Sequence, residues 1–153
     1  TGHEKTLTAL LAALAGANLI YGLGMLESGV TFDYAQLVMD DEFARMIKHA
    51  VHGVSVDDET LAVEDIAKIG SSGNFLGLEA TRRHMREQSQ PKLIDRRVRG
   101  RWTADGATDM YARANRRALE ILESHRPEPL DADVAAEIRG IVTGAEEELG
   151  VAR

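Results

Sequence analysis

Apolar and polar positions follow two periods along this chain. Leu7, Leu10, Leu11 and Leu14 recur at helical spacing, and the pattern stops near Gly16. An uncharged stretch follows, Asn18-Leu19-Ile20-Tyr21-Gly22-Leu23-Gly24, which runs into Met25-Leu26-Glu27-Ser28-Gly29. A near-continuous apolar run ending in glycines and one carboxylate reads as a parallel strand covered on both faces, and in an α/β barrel the chemistry sits where such strands end. Glu27 is therefore the first candidate site residue. Period-two alternation puts Tyr21, Leu23 and Met25 on one face and Ile20, Gly22 and Gly24 on the other. Residues 6–26 carry no charge, which meets the length test of about 20 residues for a membrane span. Gly16, Asn18, Gly22 and Gly24 interrupt that run, so helix, turn and buried strand explain it better and no membrane span is expected.

Downstream the helical period dominates. Phe43, Met46, Ile47, Ala50 and Val51 share one face, which predicts an amphipathic helix from Tyr34 to His52, stopped by Gly53 and packed on the outside of the barrel. Asp57 or Asp58 is placed to cap a shorter helix through Ile69, with Ala62, Ile66 and Ile69 on one face and Gly70 as its end. A glycine-serine loop, Ser71-Ser72-Gly73-Asn74-Phe75-Leu76-Gly77, comes next. Two more helices close the chain, one carrying Met110, Ala114, Ala118, Ile121 and Leu122 and the other Val134, Ile138, Ile141, Val142, Ala145 and Leu149. Pro127-Glu128-Pro129 separates them, and Asp131 is placed to cap the second. One strand cannot satisfy its own backbone groups, so its neighbours are expected elsewhere, upstream or in another chain. The opening Thr1-Gly2-His3-Glu4, without an initiator methionine, fits a piece of a longer protein.

Composition narrows the chemistry. None of the 153 residues is cysteine, which removes disulfides and thiolate chemistry and fits a reducing, cytoplasmic setting. Residues 82–101 hold Arg82, Arg83, Arg86, Lys92, Arg96, Arg97, Arg99 and Arg101 against Glu87 and Asp95, a local +6 in a chain of net −7. Phosphate binding through these groups, with Trp102 for stacking, would make a nucleic-acid module. The overall negative charge opposes it, and an ion-pair surface is the preferred reading, with an acidic protein as the better partner if there is one. His49-x-x-His52 has helical chelate spacing but no third ligand, so no metal is expected. Gly22-x-Gly24 starts like a dinucleotide fingerprint, but Glu27 occupies the third glycine's place and would repel a pyrophosphate. The helices from Thr108 onward also permit an oligomerisation or interaction module.

Several ordered blocks carry a family resemblance. Glu4-Lys5-Thr6-Leu7, Leu10-Leu11-Ala12-Ala13-Leu14-Ala15-Gly16-Ala17-Asn18, Gly24-Met25-Leu26-Glu27-Ser28-Gly29 with Thr31-Phe32, Asp58-Glu59-Thr60-Leu61-Ala62, Gly73-Asn74-Phe75-Leu76-Gly77, and Pro91-Lys92-Leu93-Ile94-Asp95-Arg96-Arg97 with Trp102 resemble the C-terminal part of the trimethylamine:corrinoid methyltransferase family. The resemblance implies an α/β fold: the C-terminal portion of a TIM-type (β/α)8 barrel with a C-terminal helical extension, predominantly α-helical in this chain. On it, residues 1–70 form the last β/α units, and residues 71–153 form the loop, the basic segment and the helical extension. It further implies methyl transfer from a methylamine or betaine-like quaternary amine to the cobalt of a corrinoid held by a separate protein, in a parent about three times longer. This chain alone is not expected to turn over.

Two departures leave the donor open. Asn74 stands where family members carry histidine, and Leu78-Glu79-Ala80-Thr81 replaces a segment in which they have histidines. A cationic leaving group must be held in line and kept dry, work suited to carboxylates and aromatic faces. Glu27 either balances that cation or anchors the turn into the next helix. Tyr21 either offers its ring to an N-methyl cation, worth roughly 0.5–2 kcal/mol, or is a core aromatic. Glu4, in the first family-like block, meets substrate or is structural. Asn74 and Phe75 either face the corrinoid protein or form an ordinary turn. The catalytic residue itself is not identifiable from this sequence.

Overall fold

The computed structural model describes residues 2–151. It is predominantly helical with one small sheet, and it divides into two compact units, residues through Ile121 and residues from Leu122 onward. In the first unit, α1 (Gly2–Leu14) packs along α2 (Tyr34–His52), with the ring of Phe43 against the first turn of α1. Both helices follow the apolar spacing of the sequence. Asp33 caps α2 by accepting from the Gln36 amide at 2.7 Å, and Gly53 ends it in a left-handed conformation, φ +79°.

Between these helices the expected buried parallel strand is not formed. Residues 17–24 are turn and irregular chain. The sheet is instead a short antiparallel hairpin, β1 (Met25–Leu26) and β2 (Thr31–Phe32), with Met25 opposite Phe32 and Leu26 opposite Thr31. The physical reason is pairing: no strand among the described residues lies beside 18–24 to complete a ladder. Its side chains are correspondingly open, Leu19 at 83% and Tyr21 at 82% exposure.

The helix expected from Asp57 to Ile69 is two pieces, α3 (Asp58–Leu61) and α4 (Val63–Ile69), broken where Ala62 takes a left-handed φ of +49°. Asp57 and Thr60 form a reciprocal capping box, and Gly70 terminates α4. The basic segment contains two short helices that periodicity did not reveal, α5 (Glu79–His84) and α6 (Arg99–Ala104). α7 (Met110–Ser124) follows, and Ala114 and Ala118 let it approach closely: Ala35, Leu93 and Ala114 form the core cluster, with Val38, Met39 and Met110 packed around it. In the second unit, α8 (Ala132–Glu148) begins after Asp131, which holds the cap position without a side-chain bond, and its stripe of Val134, Ile138, Ile141 and Val142 is exposed. No described helix is long and apolar enough to cross a membrane.

Candidate functional site

The hairpin is fixed from beneath by a buried carboxylate. Asp40, on the inner face of α2, accepts from the Gly24 amide at 2.8 Å, from Gln36 Nε2 at 2.7 Å and from Lys5 Nζ at 2.6 Å. Lys5 also donates to the Met25 carbonyl at 2.9 Å, so one ammonium ties α1, α2 and β1 together. Gly24 is required at this junction: φ is +78°, and a Cβ would lie 2.7 Å from the Phe32 ring and 3.1 Å from Leu37 Cβ. The Asp33 amide closes the other side by donating to the Gly24 carbonyl at 2.9 Å.

Above this anchor the chain turns through three successive positive-φ residues, Glu27 at +48°, Ser28 at +56° and Gly29 at +89°. Two of them carry side chains, and each costs about 1–2 kcal/mol relative to ordinary backbone. Glu27 is exposed, and its Oε2 accepts from the Thr31 hydroxyl at 2.6 Å across the turn. A hairpin tip, rather than the end of a parallel strand, thus presents Glu27. Val30 beside it is 84% exposed, and Phe32 and Tyr34 meet edge to face with centroids 5.5 Å apart.

Tyr21 lines an open groove of about 850 Å³ walled by α1, residues 17–23 and α2, with Ala9, Ala13, Phe43 and Ile47 supplying apolar surface. Glu4 lies exposed in the first turn of α1, next to the Lys5 anchor. Neither Glu4 nor Glu27 lines this groove or the second cleft of the first unit. Asn74 and Phe75 lie apart from both cavities. The Asn74 side chain accepts from the Leu76 amide at 2.8 Å and starts a single 3-10 turn (Phe75–Gly77), whose Phe75 carbonyl receives the Thr81 hydroxyl at 2.7 Å.

The residues that sequence reasoning missed are Lys5, Asp40, Glu42 and Arg113. Glu42, buried to 7% exposure, accepts from three consecutive amides, Lys92 at 2.6 Å, Leu93 at 2.8 Å and Ile94 at 2.8 Å. Arg113 donates twice to the Leu93 carbonyl, at 3.0 and 2.6 Å. A charged residue at an inward helical position is the one signal in the sequence that pointed to Asp40 and Glu42, since such groups are almost never buried without partners.

Electrostatics elsewhere are local. Arg97 pairs with Asp95 and Asp105, and the Asp95 carboxyl is held down at about 2 by the Arg97 side chain and amide. Arg83 pairs with Glu59, and Arg82 lies 3.9 Å from Glu79, so part of the basic segment is indeed an ion-pair surface. Asp33 is lowered by the Gln36 amide and by Tyr111, whose hydroxyl donates to it at 2.9 Å. Among the described residues no group of three or more His, Cys, Asp or Glu is placed to hold a metal ion.

Residues 1–150 match the family model described as trimethylamine methyltransferase (MTTB). Trimethylamine methyltransferase MttB of Desulfitobacterium hafniense is 59% identical over 151 residues, 99% of this chain and 30% of that protein. MttB2 of Methanosarcina mazei is 50% identical over 145 residues, 95% of this chain and 29% of its own length. Glycine betaine methyltransferase of Desulfitobacterium hafniense is 31% identical over 151 residues, 97% of this chain and 31% of that protein. The chain therefore spans less than a third of the curated relatives it matches. The resemblance first carried by its short blocks extends along the described residues, and the chain belongs to the trimethylamine methyltransferase family.

Proposed function

We propose that the full-length protein moves a methyl group from trimethylamine to a corrinoid protein, whose cobalt is the acceptor and a co-substrate rather than a resident group of this chain. The observation that carries this reading is the gap between donor classes: 59% identity to a trimethylamine enzyme against 31% to a betaine enzyme, over the same length. In the transfer the reduced cobalt would supply the electron pair of the new bond to the methyl carbon, while the carbon–nitrogen bond breaks and its pair leaves on the amine nitrogen. The protein's part is to hold a compact cationic amine in line and exclude water.

Three features of the hairpin support a substrate-facing role. Glu27 and Ser28 keep strained backbone at an exposed tip, a condition that clusters at functional sites. The tip is rigidly based on Asp40 and Lys5. The exposed Tyr21 ring on the adjoining segment is free to face an N-methyl cation, and Glu4 adds a second carboxylate on α1. The uncharged 18–24 segment, with Leu19 and Tyr21 exposed, is read as a barrel stave whose neighbours belong to the rest of the longer protein, residues 1–70 being its last β/α units and residues 71–153 the loop, basic segment and helical extension. Asn74 and Phe75 are assigned to the face that receives the corrinoid protein. The chain alone is inactive on this reading, and the full protein works in cytoplasmic methylamine metabolism without nucleic acid or membrane partners. The exposed stripe of α8 supports self-association as a second role.

Mixing the full-length protein with a reduced corrinoid protein and following the cobalt absorbance tests the donor. Trimethylamine is expected to give the faster spectral change. A response to glycine betaine alone would reassign the substrate, and a response to neither would remove the reading.

A further inference from the structure

The second cleft of the first unit lies between α2, residues 86–93 and α7, and encloses about 900 Å³, at the upper end of the roughly 300–1,000 Å³ typical of small-molecule sites. One wall is built rigidly: Glu42 holds the Lys92, Leu93 and Ile94 amides while Arg113 holds the Leu93 carbonyl. Its charges do not balance. Each of the four carboxylates lining it is already engaged: Asp41 with Arg45 at 2.8 Å, Glu42 with the three amides, Glu87 with His84 at 2.6 Å, and Glu120 with Arg117 at 3.2 Å. Arg86, Lys92 and Arg116 line the same cleft, and the structure gives their side chains no hydrogen bond or ion pair.

Carboxylates outnumber cations in this chain, 25 to 18, so three cations left without partners in one cleft are not explained by a shortage of acids. Unpaired like charges lining one cleft raise its positive potential and favour an anion there. We propose that this cleft binds a small, multiply charged anion, phosphoryl or polycarboxylate, held by Arg86, Lys92 and Arg116. Two guanidinium forks suit the paired oxygens of either group, and the ammonium adds a point charge. Arg45 and Arg117 sit in exposed pairs that exchange readily for a ligand oxygen. The site is independent of the methyl-transfer reading and shares no residue with the hairpin.

Isothermal titration of the full-length protein with pyrophosphate and, separately, with citrate at low ionic strength tests it. Saturable binding is expected, and Arg86→Gln, Lys92→Gln or Arg116→Gln should each weaken it roughly tenfold, as for loss of one charge-assisted hydrogen bond. The triple variant should abolish it, while Arg139→Gln on α8 leaves it unchanged. Tighter pyrophosphate binding identifies a phosphoryl ligand, and tighter citrate binding a polycarboxylate. The three side chains are exposed and make no hydrogen bond or ion pair within the fold, so the variants should melt as the parent does. Absence of saturable heat with both anions, or equal affinity in the triple variant, overturns the proposal.

Discussion

Gly24 shows at the residue scale how one position sets the hairpin. Its amide and carbonyl are both used, its φ is +78°, and the Phe32 ring occupies the place of a Cβ. Gly24→Ala should cost about 2–4 kcal/mol by combining left-handed strain with overpacking, measured by urea unfolding; a loss within error would contradict the geometry. Glu42 is a different case. Removing its carboxylate orphans the buried Leu93 amide and the half-buried Lys92 and Ile94 amides, so Glu42→Ala should cost roughly 3 kcal/mol, with Glu42→Gln recovering part of it. Faster hydrogen exchange at Lys92, Leu93 and Ile94 is the specific signature. Gly24 was visible in the sequence as a break in an apolar run. The duty of Glu42 was not, because its partners lie about 50 residues away and are backbone groups of no particular residue type. The Lys5 anchor was hidden for the same reason, since the Met25 carbonyl and Asp40 that it contacts lie 20 and 35 residues away.

Elements were legible where their own residues decide them. α2 begins and ends where its apolar period, Asp33 and Gly53 put it. The 18–24 segment misled because apolar runs announce burial but not the strand that must pair with them, and none is present among the described residues. The break between α3 and α4 escaped because Ala62, a strong helix former, nevertheless adopts φ +49°. Ala62→Gly should therefore raise stability by up to about 1 kcal/mol; destabilisation would show that the kink is not strained. α5 carries a pH dependence. His84 contacts Glu87 at 2.6 Å and Glu59 at 3.3 Å, and its pKa is raised chiefly by the Glu87 hydrogen bond. A raised folded value adds stability that is complete below the ordinary 6.5 and lost as pH climbs through the folded value. Amide protection in α5 should therefore be greater at about pH 6 than at about pH 8, and His84→Gln should remove the difference.

At the scale of the whole molecule, a strained, carboxylate-bearing tip stands on the buried Asp40 and its Lys5 partner, beside an uncharged segment that leaves Leu19 and Tyr21 open. That arrangement is economical only if the tip meets a ligand and the segment meets neighbouring strands, as proposed for the longer protein. Family membership was legible because several distinct ordered blocks lie along nearly the whole chain, the same span over which the family model matches. The basic segment was legible as an ion-pair surface at Arg83 and Arg97, whereas its clamp on α2 was not. The most direct test is the rate of methyl transfer from trimethylamine to a corrinoid protein by full-length wild type and Glu27→Gln, at saturating and limiting amine. The account predicts a loss of at least about tenfold in kcat/KM, as expected when an ion pair to a bound cation is removed, with unchanged thermal stability. Equal kcat/KM for the two proteins would contradict it.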